Sequence, residues 1–166
     1  MRKTRIEGFE LKEATRDDAE LVFHFIKEMA KYEKLEDDVT GTIPDLEKNI
    51  WDNKYAEILL AYCNGEAIGY ALFFTNFSTF TCKGVMYLED VFIDEKYRGR
   101  GFGKEIFYQL ACIASERDCT RFEWVCLDWN EPSIRFYEDV IGATAHREWI
   151  RFRLDKAGIS NLVNKK

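Results

Sequence analysis

"VFIDEKYRGRGFGKEIFYQL", residues 91–110, decides the fold. An apolar strand runs into Arg98-Gly99-Arg100-Gly101-Phe102-Gly103 and then straight into a helical pattern. Three glycines within five positions are costly where the chain folds tightly, so that backbone has a use for close approach. A nucleotide P-loop counted from Gly99 would need Gly-Lys-Ser/Thr from the sixth place, where Lys104 and Glu105 stand instead. A dinucleotide fingerprint would need a third glycine at 104, which is lysine. The physics shared by both motifs survives these failures. A strand ends, small residues expose successive N–H groups, and a helix N-terminus points its dipole at the same spot. With Arg98 and Arg100 at the rim, this is a cradle for a phosphate or pyrophosphate, or else simply a tight turn.

Outward from that stretch, the 166 residues suffice for a single domain, 1–166, with a real core. Apolar residues make up 46% and charged residues 33%, ordinary values for a soluble globular chain. The formal net charge of −6, without a basic run, argues against nucleic-acid binding and favours small cationic partners. Charged residues interrupt every apolar segment, so no membrane span is expected. The start MRKTRIEGFE has no apolar stretch behind it, which disfavours a signal peptide. Five cysteines without a CxxC pair fit a reducing cytoplasm. Two histidines cannot assemble a triad, and no metal-ligand spacing is present, so no metal site is expected.

Residues 9–15 alternate as a first strand, and Ala19, Val22, Phe23, Ile26, Met29 and Ala30 mark a helix over 17–32. After an acidic connection, Thr42-Ile43-Pro44 starts a short helix carrying Leu46, Ile50 and Trp51. Residues 56–77 read as a hairpin around Asn64-Gly65, and 83–93 as the next strand. A helix over 101–116 follows, then an apolar strand over 121–127 with the character of a covered central strand. Residues 130–141 form a helix with Asn130 as cap and Pro132 in the first turn, and 147–155 alternate as a last strand before a frayed tail. This order gives an α/β fold, a central mixed β-sheet flanked by about four helices.

Arg98-x-x-Gly101-x-Gly103 resembles the acetyl-CoA pyrophosphate loop of the GNAT superfamily of acyl-CoA N-acyltransferases, and the order of elements is similar to that superfamily's. Residues 129–143, "WNEPSIRFYEDVIGA", resemble its helix carrying a cofactor-side asparagine and a tyrosine near the thiol. Together with "IKEMAKYEKLED" (26–37) and "YLEDVFIDEKYRGRGFG" (87–103), they look most like the diamine/polyamine (spermidine/spermine) N-acetyltransferase branch. The resemblance implies direct transfer of an acetyl group from acetyl-CoA to a primary amine of a small diamine or polyamine, through a ternary complex. The same reaction on thialysine or another small amino compound, or a non-catalytic CoA-binding domain, remains open. It also implies a homodimer with exchanged late strands.

Such a reaction requires a fixed thioester, a deprotonated amine, a stabilised oxyanion and a protonated leaving thiolate. For the cofactor, the resemblance implies the main chain of Val91, Phe92 and Ile93 along the pantetheine arm. It implies Arg98, Gly99, Arg100, Gly101, Phe102, Gly103 and Lys104 at the pyrophosphate, and Asn130, Ser133 and Tyr137 on the late helix. Tyr137 is then the general acid and Glu89 the base, acting through water. Glu28, Glu33, Asp90 and Trp149 are the implied substrate contacts, Trp149 through cation–π attraction. Each residue has a plainer reading: Asn130 as a helix cap, Tyr137 or Trp149 as core or interface, the acids as solvated surface. Because adjacent strand residues point to opposite faces, Glu89 and Asp90 are expected not to share one job directly. Lys83, just before the "YLED" strand, reads as a charge that a pocket for long polyamines would avoid.

Overall fold

The computed structural model describes residues 2–165. They divide into two compact units, one ending at Trp129 and the other beginning at Asn130. In the first, six strands lie in sequence order, β1 (Arg2–Lys3), β2 (Phe9–Glu13), β3 (Glu57–Cys63), β4 (Glu66–Ser78), β5 (Lys83–Ile93) and β6 (Arg121–Trp124). Neighbours pair antiparallel from β1 to β5, whereas β6 runs parallel to β5, so the sheet is mixed as expected. The parallel step needs a crossover, supplied by α3 (Phe102–Glu116). Helices α1 (Ala19–Glu33) and α2 (Ile43–Glu47, continuing through a π turn Lys48–Asp52) precede β3.

The periodicities explain this packing. Val22 and Phe25 of α1 meet Ile58, Leu60, Tyr70 and Phe92, one face of the sheet. The alternate residues Leu59 and Ala61 are equally buried, so β3 is covered on both sides. On α3, Phe102 stacks on Phe9 with ring centroids 4.4 Å apart, and Ile106, Leu110 and Ile113 are buried along the same helix. The β3–β4 hairpin turns at Asn64 (φ 50°) and Gly65 (φ 83°), the pair of left-handed residues that a two-residue turn requires.

Three expectations fail. Residues 121–127 are not a covered central strand: β6 ends at Trp124, has one neighbour, and leaves Val125 and Cys126 exposed. Its apolar character comes from Phe122 and Trp124, which share one strand face and pack against Phe107 of α3. In the second unit, residues 147–155 form no strand, because an alternating segment without a neighbouring edge has no partners for its backbone. The expected frayed tail is instead helix α5 (Lys156–Asn164), capped by Asp155 accepting from Gly158 N–H at 2.7 Å, while Lys166 lies outside the described residues. Helix α4 (Glu131–Arg135) continues through a π turn, Phe136–Ile141, and stops at left-handed Gly142. With α5 there are five α-helices among the described residues, in keeping with a mixed sheet flanked by about four.

Candidate active site

The cofactor side begins where the sheet opens. The β5–β6 ladder runs from Val85↔Arg121 to Leu88↔Trp124 and stops. From there β5 continues to Ile93 with β4 alone as partner, Asp90 facing Leu72 and Ile93 facing Gly69. Among the described residues no strand pairs with the main chain of Val91, Phe92 and Ile93 on the β6 side, an unpaired edge of the kind an extended ligand arm can use. The Phe92 side chain is buried against Phe25, so only its backbone serves that edge.

The edge leads directly into the glycine loop. Gly99 (φ 76°) and Gly101 (φ 83°) both lie in the left-handed region, and Gly101 is the N-cap of α3. A Cβ at Gly99 would meet nothing, so the loop surface there is open. The Phe102 side chain belongs to the core, leaving its N–H with that of Gly103 in the helix's first turn; Lys104 is exposed beside them. The arginines are turned back onto the loop rather than outward. Arg98 Nε donates to Ile93 O at 2.8 Å with the guanidinium 4.5 Å from the Tyr32 ring. Arg100 Nη2 donates to Lys96 O at 3.2 Å. From below, Glu105 of α3, 2% exposed, accepts from Arg5 N at 3.1 Å and Arg5 Nε at 2.8 Å, and from Gln109 at 2.9 Å. Burial opposes its ionisation, but these donors hold its carboxyl below the usual range. Open edge, left-handed glycines and helix N-terminus together fit a CoA thioester.

The acceptor side is acidic. A β-bulge interrupts the β4–β5 register: Phe73 faces Leu88 while Leu72 faces Asp90, so Glu89 is the extra residue. Glu89 is exposed, and Asp90 turns to the face that carries Tyr70 and Phe92, under α1. The bulge breaks the simple alternation of "YLED", and Glu89 and Asp90 still differ in exposure, Glu89 open to solvent and Asp90 partly covered. Tyr70 hydroxyl donates to Asp90 Oδ2 at 3.0 Å and lies 3.6 Å from Met29 Sδ. Burial pushes the Asp90 carboxyl up to about 6; the Tyr70 hydrogen bond opposes this, while Glu89 and Glu33 reinforce it. Glu33, half-buried at the end of α1, is itself raised by burial, and it also acts on the Cys126 thiol after β6. The end of α1 is pinned on two sides, Tyr32 under Arg98 and Lys34 Nζ 5.2 Å over the Trp129 ring.

Glu33, Glu89 and Asp90 thus converge, whereas Glu28 lies further back on α1 and is not among the charges acting on Asp90. Lys83 does not approach the cluster. It sits at the opposite end of β5, six residues before Glu89 and so roughly 20 Å away, paired with Asp118 at 2.6 Å. Lys83 therefore gives no reason to exclude long polyamines, contrary to the expectation from its place before "YLED". Tyr70 was not anticipated: a tyrosine inside "GYALFF" reads as core until the bulged register sets it beside Asp90.

In the second unit, Asn130 caps α4, its side-chain oxygen accepting from Ser133 N–H at 3.4 Å. Tyr137 lies in the π turn with its ring edge-on to Phe136 at 5.5 Å. Trp149 is 76% exposed in the strandless segment.

An Acetyltransferase (GNAT) family model matches residues 19–143. The chain belongs to that family. Over 96% of this chain and the whole of the relative, it is 31% identical to a thialysine N-epsilon-acetyltransferase of Caenorhabditis elegans. It is 28% identical to a human spermidine/spermine N(1)-acetyltransferase-like protein 1, over 98% of this chain but 25% of that protein. Among solved structures, an integron cassette protein from the mobile metagenome of V. cholerae superposes with a TM-score of 0.80 at 25% identity, covering 96% of this chain and all of that one. This GNAT chain has the family's fold and is an acetyl-CoA-dependent N-acetyltransferase. No helix among the described residues is long and apolar enough to cross a membrane.

Proposed function

We propose that the protein acetylates a terminal primary amine of a small cationic acceptor, a diamine or polyamine or the side chain of a lysine-like amino acid such as thialysine. The reaction runs in a ternary complex within one domain, 1–166. The observation that carries this reading is the convergence of Asp90, Glu33 and Glu89 beside the open edge of β5. Carboxylates arranged so attract an ammonium, whose charge relieves the repulsion within the cluster. The names of the relatives support both amine classes, with thialysine favoured by the full-length match.

Acetyl-CoA, when bound, supplies an acetyl group activated as a thioester. The main chain of residues 91–93 orients the pantetheine arm, and the N–H groups of residues 99–104 hold the pyrophosphate at the start of α3. Asp90 and Glu33 hold the cationic acceptor. Glu89, exposed at the bulge, takes the ammonium proton through water, and Tyr137 gives its phenolic proton to the leaving sulfur. Asn130 and Ser133 fix the helix that carries Tyr137. We assign the protein to the cytoplasm on its free cysteines. We also assign it to homodimers, because Trp149, Ile150, Phe152 and Leu154 stand exposed on a segment without a strand partner.

The test is CoA release with putrescine, spermidine, spermine, thialysine, lysine and an aminoglycoside, for wild type, Y137F and E89Q. Turnover on thialysine or a diamine, lowered roughly 100-fold in each variant, is the expected result. Undiminished turnover in Y137F removes the general-acid role, and binding of acetyl-CoA without turnover on any amine overturns the whole reading. A monomer by analytical ultracentrifugation at assay concentration overturns the dimer.

A further inference from the structure

Tyr70 is wholly buried, and among the buried residues of its cluster (Ala14, Val22, Phe25, Ile58, Leu60 and Phe92) it alone carries a polar side-chain atom. Its ring fills the core with Phe25 at 6.3 Å, a task phenylalanine would do as well. A buried hydroxyl costs free energy unless it is bonded, so the oxygen calls for a reason. Its bond to Asp90 Oδ2 at 3.0 Å supplies one.

We propose that Tyr70 is a positioning residue of the acceptor site, its hydroxyl holding Asp90 Oδ2 so that the carboxylate stays ionised and offers Oδ1 to the incoming ammonium. This rests on the reading of Asp90 as the acceptor's anchor. The groups acting on Asp90 are Tyr70 from β4, Glu89 from β5 and Glu33 from α1. Both acids oppose its ionisation, burial opposes it more, and Tyr70 is the one group of these that favours it. Met29 adds a neutral sulfur 3.6 Å from the hydroxyl. The charge that captures substrate therefore depends on one donor that touches no substrate.

The decisive experiment measures pH profiles of kcat/KM for the best amine of the panel in wild type, Y70F, D90N and the double variant. Thermal melting and the KM for acetyl-CoA serve as folding controls. Loss of a hydrogen bond to a charged acceptor raises the Asp90 pKa by roughly one to two units, moving the acid limb of Y70F upward. At pH 7 the amine KM rises about two- to tenfold as the ionised fraction falls, while kcat at pH 9 stays within about twofold. In the D90N background Y70F has no further effect on the amine KM. A Y70F profile superimposable on wild type overturns the proposal even where D90N raises the amine KM. So does an equal Y70F loss with and without Asp90, which is the mark of a packing role. An unchanged amine KM in D90N removes the anchor itself, and the proposal with it.

Discussion

Two carboxylates sit low in the first unit, Glu105 under the glycine loop and Asp90 at the bulge, and they are treated in opposite ways. Glu105 receives a guanidinium, a main-chain N–H and an amide, so its charge is stabilised despite 2% exposure. Asp90 receives one phenol and faces two further carboxylates, and burial leaves it titrating at about 6. A site satisfied in advance is a brace, and a site left short of positive charge awaits a cation from outside. The same contrast separates the two halves of the reaction. In the proposed reaction, the cofactor's cradle is prebuilt from backbone, while the acceptor's anchor is completed by the acceptor.

The strongest way to break this comparison is to turn the brace into an unpaired acid. Arg5→Ala leaves Glu105 buried with Gln109 and one main-chain N–H, which is expected to cost about 3 kcal/mol of stability. Arg5 itself is half-exposed, so removing Glu105 instead, as Gln, is expected to cost less, since the orphaned guanidinium turns to water. Glu105 is lowered in the fold, so its contribution is present above the ordinary carboxyl pKa of 4.5 and is lost as pH falls through the folded value. The Arg5→Ala deficit in melting temperature should therefore narrow on acidification. A deficit as large at pH 3 as at pH 7 would show that packing, not charge, is at stake.

Asp90→Asn sharpens the contrast, because its sign is reversed. Between its ordinary value of 3.8 and about 6, the folded protein keeps a proton that the unfolded chain has released. Stability therefore falls as pH rises through that window, by about 3 kcal/mol at most. Asn removes this penalty, so D90N is expected to melt higher than wild type at pH 8 and equally at pH 3.5, while losing acceptor affinity. Melting curves at the two pH values check it, and a D90N protein less stable at pH 8 contradicts the poised-acid account.

The brace and the anchor also differ in how far they were legible. The hairpin at Asn64-Gly65, the strand over 83–93 and the glycine loop into α3 are local matters of turn chemistry and periodicity, and they were read directly. Glu33, Glu89 and Asp90 came from a family resemblance, and the structure brings them together; the roles given to Tyr137 and Asn130 remain proposals. Tyr70, the bulge at Glu89 and the Arg5–Glu105 pair depend on register and on contacts up to 100 residues apart, which no local pattern encodes. The strand expected over 147–155 failed for the converse reason. Its alternation describes an edge that wants a partner, and a single chain supplies none among its described residues.

Lys83 provides the smallest expected effect and the cleanest check on where the acceptor's field ends. Its side chain is 47% exposed and paired with that of Asp118, itself 80% exposed, and such surface pairs contribute about 0–1 kcal/mol. It lies roughly 20 Å along β5 from Glu89, about two Debye lengths at physiological ionic strength. Lys83→Gln is therefore expected to leave melting within about 2 °C and the amine KM within about twofold, for diamine and longer polyamine alike. A Lys83→Gln protein that gained selectively on spermine would mean that the acceptor cleft runs the length of the strand. The anchor at Asp90 would then be one end of a longer track, open along β5 where the brace under the loop is closed.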